Sequence, residues 1–335
     1  MKRRIMAVLS CAALCVVALS LCGCQLLASS TTYTPKMKDP TVSSPAIKKD
    51  GVLRVGVNSA NAPFSTTVSG KLVGIDVDIA AALADEMGLK LELVDVGRDG
   101  AASLKDGSVD VVMNMESSDS KSDVWLSSAY MPTAVVLFAK TADAGMPVAD
   151  STTTIEAQAT SMSAWEATNQ YPKATVKSVS DLKTAFADLA DGKTNYVASD
   201  AVIGSYVSHS AGTDAVIVGS LQKVNGYCVG GSLSNVKLKT AVGNALDTLT
   251  SKGVIKVIEK KWLGKELDLS KVVLSASAQK ATNSATSADA ATSTSSATSS
   301  GAADSSATSS ATSTTDSSAQ AQDSTQPAAN GAPAA

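Results

Sequence analysis

The sequence predicts an α/β fold, and three observations carry that prediction. Strand periods and helix periods alternate from Val52 to Trp262. Val109 to Met115 is an apolar run broken only by Asp110 and Asn114, the pattern of a parallel strand buried on both faces. After Ala139 the alternation starts over. The span from Asp50 to Leu269 is long for one small domain and short for two independent ones.

The first unit is Val52 to Met87. Leu53, Val55 and Val57 alternate with Arg54, Gly56 and Asn58, the period of a two-faced strand. Asn61-Ala62-Pro63-Phe64 breaks it, because Pro63 has no amide to donate. Gly70-Lys71 marks a hairpin turn. Gly74 to Ile79 opens a helix with Asp76 and Asp78 in its first turn, where the dipole favours acids. Ile79, Ala80, Leu83, Ala84 and Met87 form its buried stripe, and Gly88 supplies a left-handed stop.

Further along, Leu89, Leu91 and Leu93 alternate as a second strand, and 100–104 reads as a short helix. Ala134 to Ala139 is an apolar strand. Thr152 to Ala159 predicts a strand and Ser161 to Gln170 a helix. Leu182, Ala185, Phe186 and Leu189 sit at helical spacing after Ser180-Asp181, with Gly192 as the stop. Asn195 to Ser199 is a strand ended by Asp200. A helix over 201–208 and a strand over 216–218 follow. Leu238, Val242, Ala245 and Leu249 make 236–251 the most regular helix, and 254–262 is another, ended by Gly264.

The termini differ in kind. Met1-Lys2-Arg3-Arg4 precedes an apolar run from Ile5 to Leu21, the form of a secretory signal. Leu21-Cys22-Gly23-Cys24 looks like a lipobox, so cleavage before Cys24 and lipidation of its thiol (a diacylglyceryl and palmitate-type anchor) are expected. That assigns 1–23 to the signal and 24–49 to a tether. Cys11, Cys15 and Cys22 would leave with the signal, so Cys228 stands alone and is read as a small buried apolar residue. From 271 to 335 the chain is dominated by Ala, Ser and Thr, with no aromatic residue, and reads as a disordered tail. Of 28 Lys and Arg, the signal removes Lys2, Arg3 and Arg4, leaving 25 against 31 acids, a net charge of −6. Nothing in that balance suggests a nucleic-acid surface. With His209 as the sole histidine, no metal site is expected, and no cofactor motif or Gly-rich phosphate loop is present.

Gly74 through Met87, with its strand, Pro-Phe turn and hairpin upstream, resembles the start of the mature domain in the bacterial solute-binding proteins for polar amino acids. That resemblance implies a two-lobed periplasmic-binding-protein (Venus flytrap) fold. Lobe 1 would comprise 50–131 and 227–270, and lobe 2 would comprise 132–226. Two crossover hinges would lie near 130–133 and 224–227, permitting closure around a ligand.

In open α/β sheets, ligands bind beyond the carboxyl ends of the strands. Ser59–Phe64, Asn114–Ser122 and Asp200 meet that condition. By the resemblance, Phe64 or Asn61 would form the wall under the ligand side chain. Asn114, Met115 and Ser117 would offer backbone and side-chain groups. Thr160 and Ser161 would donate at a helix start, and Asp200 would accept from an ammonium group; as a residue just before a helix, Asp200 also fits an N-cap. The family holds the ligand carboxylate with an arginine after the Ser/Thr pair, but 116–123 has none, and Lys121 is the cation in its place. Ala159 replaces the usual glycine before the Thr pair. Glu116 is unusual at its position and could face the cleft and select a basic group, or point to water. Trp125 and Trp165 could pack on a ligand or in the core.

The resemblance implies a substrate-binding lipoprotein of an ABC importer. It would be a monomer held at the extracytoplasmic face of the cell membrane, passing an amino-acid-like solute to a permease. It would not be an enzyme. Two rivals remain: a dehydratase-like enzyme with Glu116 as its acid or base, and a ligand-poor scaffold or signalling receptor on the same fold that has lost transport.

Overall fold

The computed structural model describes residues 38–118 and 123–280. The signal, Cys24, Lys121 and the tail beyond 280 lie outside the described residues. Within 38–280 the chain forms two α/β lobes.

Lobe 1 is built on a mixed sheet. Strand β1 (Val52–Val57) pairs in parallel with β5 (Lys90–Asp95) and with β6 (Val111–Glu116). Strand β14 (Asn225–Ser232) runs antiparallel beside β6, and β7 (Val124–Leu126) and β8 (Met131–Thr133) both pair with β14. A small antiparallel sheet, β2 (Ala60–Asn61), β3 (Ser65–Val68) and β4 (Lys71–Val73), stands beside it. The β3–β4 turn is Ser69-Gly70, one residue earlier than Gly70-Lys71, with φ of 50° and 76°. Positive φ at both central residues suits the twist of a two-residue hairpin.

Helix α1 (Ile75–Glu86) buries Ile79, Ala80, Leu83 and Ala84, and Met87 after it, as the stripe predicts. Gly74 opens it at φ 147°, with the Ile75 and Asp76 amides donating to the Pro63 and Phe64 carbonyls at 3.0 and 2.9 Å. A Cβ there would lie 2.1 Å from the Phe64 carbonyl oxygen, so this turn accepts only glycine. Helix α2 (Gly100–Lys105) lies between β5 and β6 in sequence.

Lobe 2 has the order β11-β10-β12-β9-β13, where β9 is Val135–Ala139, β10 Thr154–Gln158, β11 Thr175–Val179, β12 Tyr196–Asp200 and β13 Val216–Ser220. The β10, β11 and β12 strands are parallel, and β9 is antiparallel to β12 and β13. Helices α3 (Met162–Gln170), α4 (Leu182–Asp191) and α5 (Ala201–Ser210) follow their strands. Helices α6 (Val236–Ser251) and α7 (Val254–Leu263) return to pack on α1. The α7 helix also meets α5, where the Tyr206 and Trp262 rings lie 6.4 Å apart. Asp78 fastens α7 by accepting from Trp262 Nε1 at 2.7 Å and Lys261 Nζ at 2.6 Å.

The crossovers lie where expected: Thr133 pairs with Asn225 and Met131 with Tyr227. Two boundaries differ from the sequence reading. Residues 38–49 are docked on lobe 1, with Val42, Ala46 and Ile47 buried and the Thr41 amide bonded to the Met87 carbonyl at 3.0 Å. Three apolar side chains, two of them adjacent, seat this stretch, too few to show as a period. Residues 271–280, assigned by composition to the tail, form a strap over lobe 2. Ser220 donates its amide to the Val273 carbonyl, and Ser275 donates to the Ser220 carbonyl, both at 2.8 Å. Ser275 Oγ donates to Gln170 Oε1, and Gln170 Nε2 donates to the Leu221 carbonyl. A seryl hydroxyl and backbone edges hold the strap, so its low hydrophobicity hid it. It adds a third connection between the lobes.

Strand β14 runs well past the crossover expected near 224–227, although its Asn-Gly-Tyr-Cys-Val-Gly-Gly-Ser sequence shows no clear strand period. Here the glycines admit neighbours: a Cβ on Gly230 would lie 2.2 Å from Met115 Sδ, and one on Gly231 would lie 2.3 Å from the Trp125 ring. Cys228 is buried, as expected.

Candidate functional site

A cavity of about 680 Å³ lies between the lobes. Thr133 and Tyr227 come from the crossovers, Glu116 from the end of β6, Ser161 from the start of α3 and Asp200 from the end of β12. Strand ends and a helix N-terminus converge there because the parallel strands of lobe 2 all point their carboxyl ends toward it.

Asp200 is both an N-cap and a cavity residue. Its Oδ1 accepts the Val202 and Ile203 amides at 2.9 Å each, and its Oδ2 accepts from Thr133 Oγ1 and from Tyr227 Oη at 3.1 Å. Burial raises its pKa, opposed by the bonds from Thr133, Ile203, Tyr227 and Val202. Its Oδ2 edge, held by two hydroxyls that can turn, is where a cation can be received. Burial, then the Asp200 and Glu116 carboxylates, holds the Tyr227 phenol well above its ordinary pKa. Glu116 faces Tyr227 across the strand pair, is exposed, and accepts from Ser118 Oγ at 3.3 Å.

Ser161 caps α3, accepting the Ala164 amide at 3.1 Å and donating to the Gln158 carbonyl at 2.7 Å. Thr160 does not line the cavity. It is exposed, has φ of 57°, and donates its hydroxyl to the Ala159 carbonyl. Ser117 is fixed to Gly226, its amide donating to the Gly226 carbonyl at 2.8 Å and its Oγ accepting the Gly226 amide at 3.1 Å. Phe64 corrects the expectation of a wall: at 1% exposure it packs edge-on behind Tyr227, with centroids 4.5 Å apart. Its apolar ring is enclosed by lobe 1, and the tyrosine in front meets the cavity.

Asn61, Asn114 and Met115 lie on a separate shelf of about 340 Å³ at the carboxyl ends of β1, β5 and β6. Asn61 Nδ2 donates to Asn114 Oδ1 at 2.9 Å. Asn114 has φ of 62°, and its buried Nδ2 has no acceptor. Trp125 is buried and Trp165 is 61% exposed, so neither contributes to the cavity.

Sequence reasoning missed Tyr227, Thr133, Gln222 and Lys223, all cavity residues in or beside the crossovers. It also missed Arg98, which lines the shelf. The strand-end rule, applied to the loop after Leu89–Leu93, finds Arg98.

The fold and cleft define a two-lobed binding protein. The family model for bacterial extracellular solute-binding proteins, family 3, matches residues 53–265, and the chain belongs to that family. This is the solute-binding family of amino-acid ABC importers. The chain is similar to an ancestral cationic amino acid solute-binding protein at 25% identity, over 64% of this chain and 96% of that one, with a TM-score of 0.54. Two further structures share its fold. The L-cystine solute receptor of Neisseria gonorrhoeae, in an unliganded open conformation, is 23% identical over 65% and 95% of the two chains, with a TM-score of 0.56. A polar amino acid ABC uptake transporter substrate-binding protein from Streptococcus thermophilus is 23% identical over 64% and 87%, with a TM-score of 0.57.

Proposed function

We propose that this chain captures a small amino-acid-like solute between its lobes and delivers it to an ABC permease. The observation that carries this reading is Asp200, whose Oδ2 edge lies in the interlobe cavity beside both crossovers. An ammonium group there replaces lost hydration with a charge-assisted bond in a low-dielectric setting. The Ser161 end of α3 offers partial positive charge to an anionic group. Rotation about the crossovers closes the lobes on the solute and creates the surface a permease reads.

The setting of Glu116 favours binding over catalysis at that residue. A general acid or base gains from a dry setting, and Glu116 is exposed. Mass spectrometry of small molecules released from gently purified protein tests the reading. An amine-bearing metabolite in stoichiometric amount supports it, and dehydration of an added hydroxy acid contradicts it.

The same reading includes a lipid anchor on Cys24, motivated by Leu21-Cys22-Gly23-Cys24. Cys24→Ala should release the protein from the membrane fraction. An intact Met1–Cys24 segment on membrane-bound protein would refute the anchor.

A further inference from the structure

The sequence contains four arginines: Arg3, Arg4, Arg54 and Arg98. The first two lie in the expected signal. Arg54 is consumed within lobe 1, where its Nε and Nη2 donate to Asp110 at 3.3 and 2.7 Å and its Nη1 donates to the Gly107 and Ser108 carbonyls. Arg98 is thus the guanidinium left for a ligand in the folded part.

Its surroundings suit that use. Arg98 follows β5, on the strand-end edge where the sheet presents its loops. It is the charged residue among those lining the shelf, and among the described residues it has no ion pair. Its acidic neighbours are committed elsewhere: Asp95 accepts from the Ser59 and Gly97 amides and Ser59 Oγ, and Asp99 caps α2 through the Ala102 amide. The unpaired Nδ2 of Asn114 adds a donor wanting an acceptor. The shelf and the interlobe cavity are neighbours along β6, for Asn114 and Met115 line one and Glu116 lines the other.

We propose that Arg98 is a specificity-determining residue: it receives a carboxylate of the solute on the Asn61–Asn114 shelf while the solute's ammonium rests on Asp200. This rests on the solute-binding reading above and extends it to a solute with separated charges. A guanidinium grips both carboxylate oxygens, so it also fixes the orientation of the group. The arginine missing from 116–123 is replaced from the neighbouring loop after β5, in the same lobe.

The test titrates the mature protein with the twenty L-amino acids, and with the decarboxylated amine of the tightest binder. Arg98→Ala should weaken the amino acid about 10- to 150-fold, leave the amine unchanged, and keep the melting temperature, since Arg98 is exposed. Arg98→Lys should recover part of the loss. Equal affinity of Arg98→Ala and unmutated protein for the amino acid would overturn the proposal, even with Asp200→Asn weakened and the solute reading intact. If no amino acid binds the unmutated protein, the solute reading fails. The Arg98 Nε–Hε NMR signal titrated with glutarate then decides this proposal alone: a saturating shift supports it, and no shift overturns it.

Discussion

The Tyr130 hydroxyl donates to Asp76 Oδ1 at 2.6 Å and accepts the Asn114 amide at 3.0 Å. One phenol thus links the first acid of α1, the start of the first crossover and the end of β6. Asp76 is buried, and loss of hydration pushes its pKa up to about 7, with the Tyr130 bond pulling the other way.

This predicts a pH signature. The folded protein holds the Asp76 proton up to about pH 7, whereas the unfolded chain releases it near 3.8. Between those values the native state binds more protons, so this group's contribution to stability falls as pH rises and levels off above 7. Denaturant midpoints for unmutated protein and Asp76→Asn should diverge across that window, by at most about 1.4 kcal/mol per pH unit. Parallel pH curves would contradict the assignment.

Asp200 caps α5 and lines the cavity, and substitution separates the cap from the charge proposed to hold an ammonium group. Asn keeps an oxygen for the Val202 and Ile203 amides, and the Thr133 and Tyr227 hydroxyls can turn to accept from the new amide. Asp200→Asn should therefore leave the melting temperature nearly unchanged. Asp200→Ala removes the cap and should cost about 0.5–2 kcal/mol. Equal losses in both variants would show that the charge itself is structural.

The strap predicts where the chain can be cut. Ending it at Ser270 leaves the Ser220 amide and carbonyl and Gln170 Oε1 without their strap partners, at about 1–3 kcal/mol for each group left unsatisfied. Thermal unfolding should drop by several degrees. A chain ending at Lys280 should melt like the full-length protein. Indifference to the Ser270 truncation would show that the strap is ornamental to stability.

The parts legible in sequence were those encoded by local period and local turn chemistry. Gly74 through Met87 announced its helix because cap, stripe and stop lie within one stretch. Asp200 was found because it ends an apolar strand. The illegible parts depend on partners distant in sequence. Phe64 is part of a core whose members include Tyr227, far along the chain, whose ring packs against it. Gly230 and Gly231 serve the Met115 and Trp125 side chains, not a turn. The strap's Ser275 is meaningful only beside Gln170. Arg98 stands out once Arg54 is seen to be locked to Asp110.

The most direct measurement is isothermal titration of the mature protein with the twenty L-amino acids, repeated on Asp200→Asn. The account predicts saturable binding of at least one of them, with a negative heat-capacity change from lobe closure. It also predicts a loss of about 10- to 150-fold in Asp200→Asn at unchanged melting temperature. Absence of heat with every amino acid, or undiminished affinity in Asp200→Asn, would contradict it.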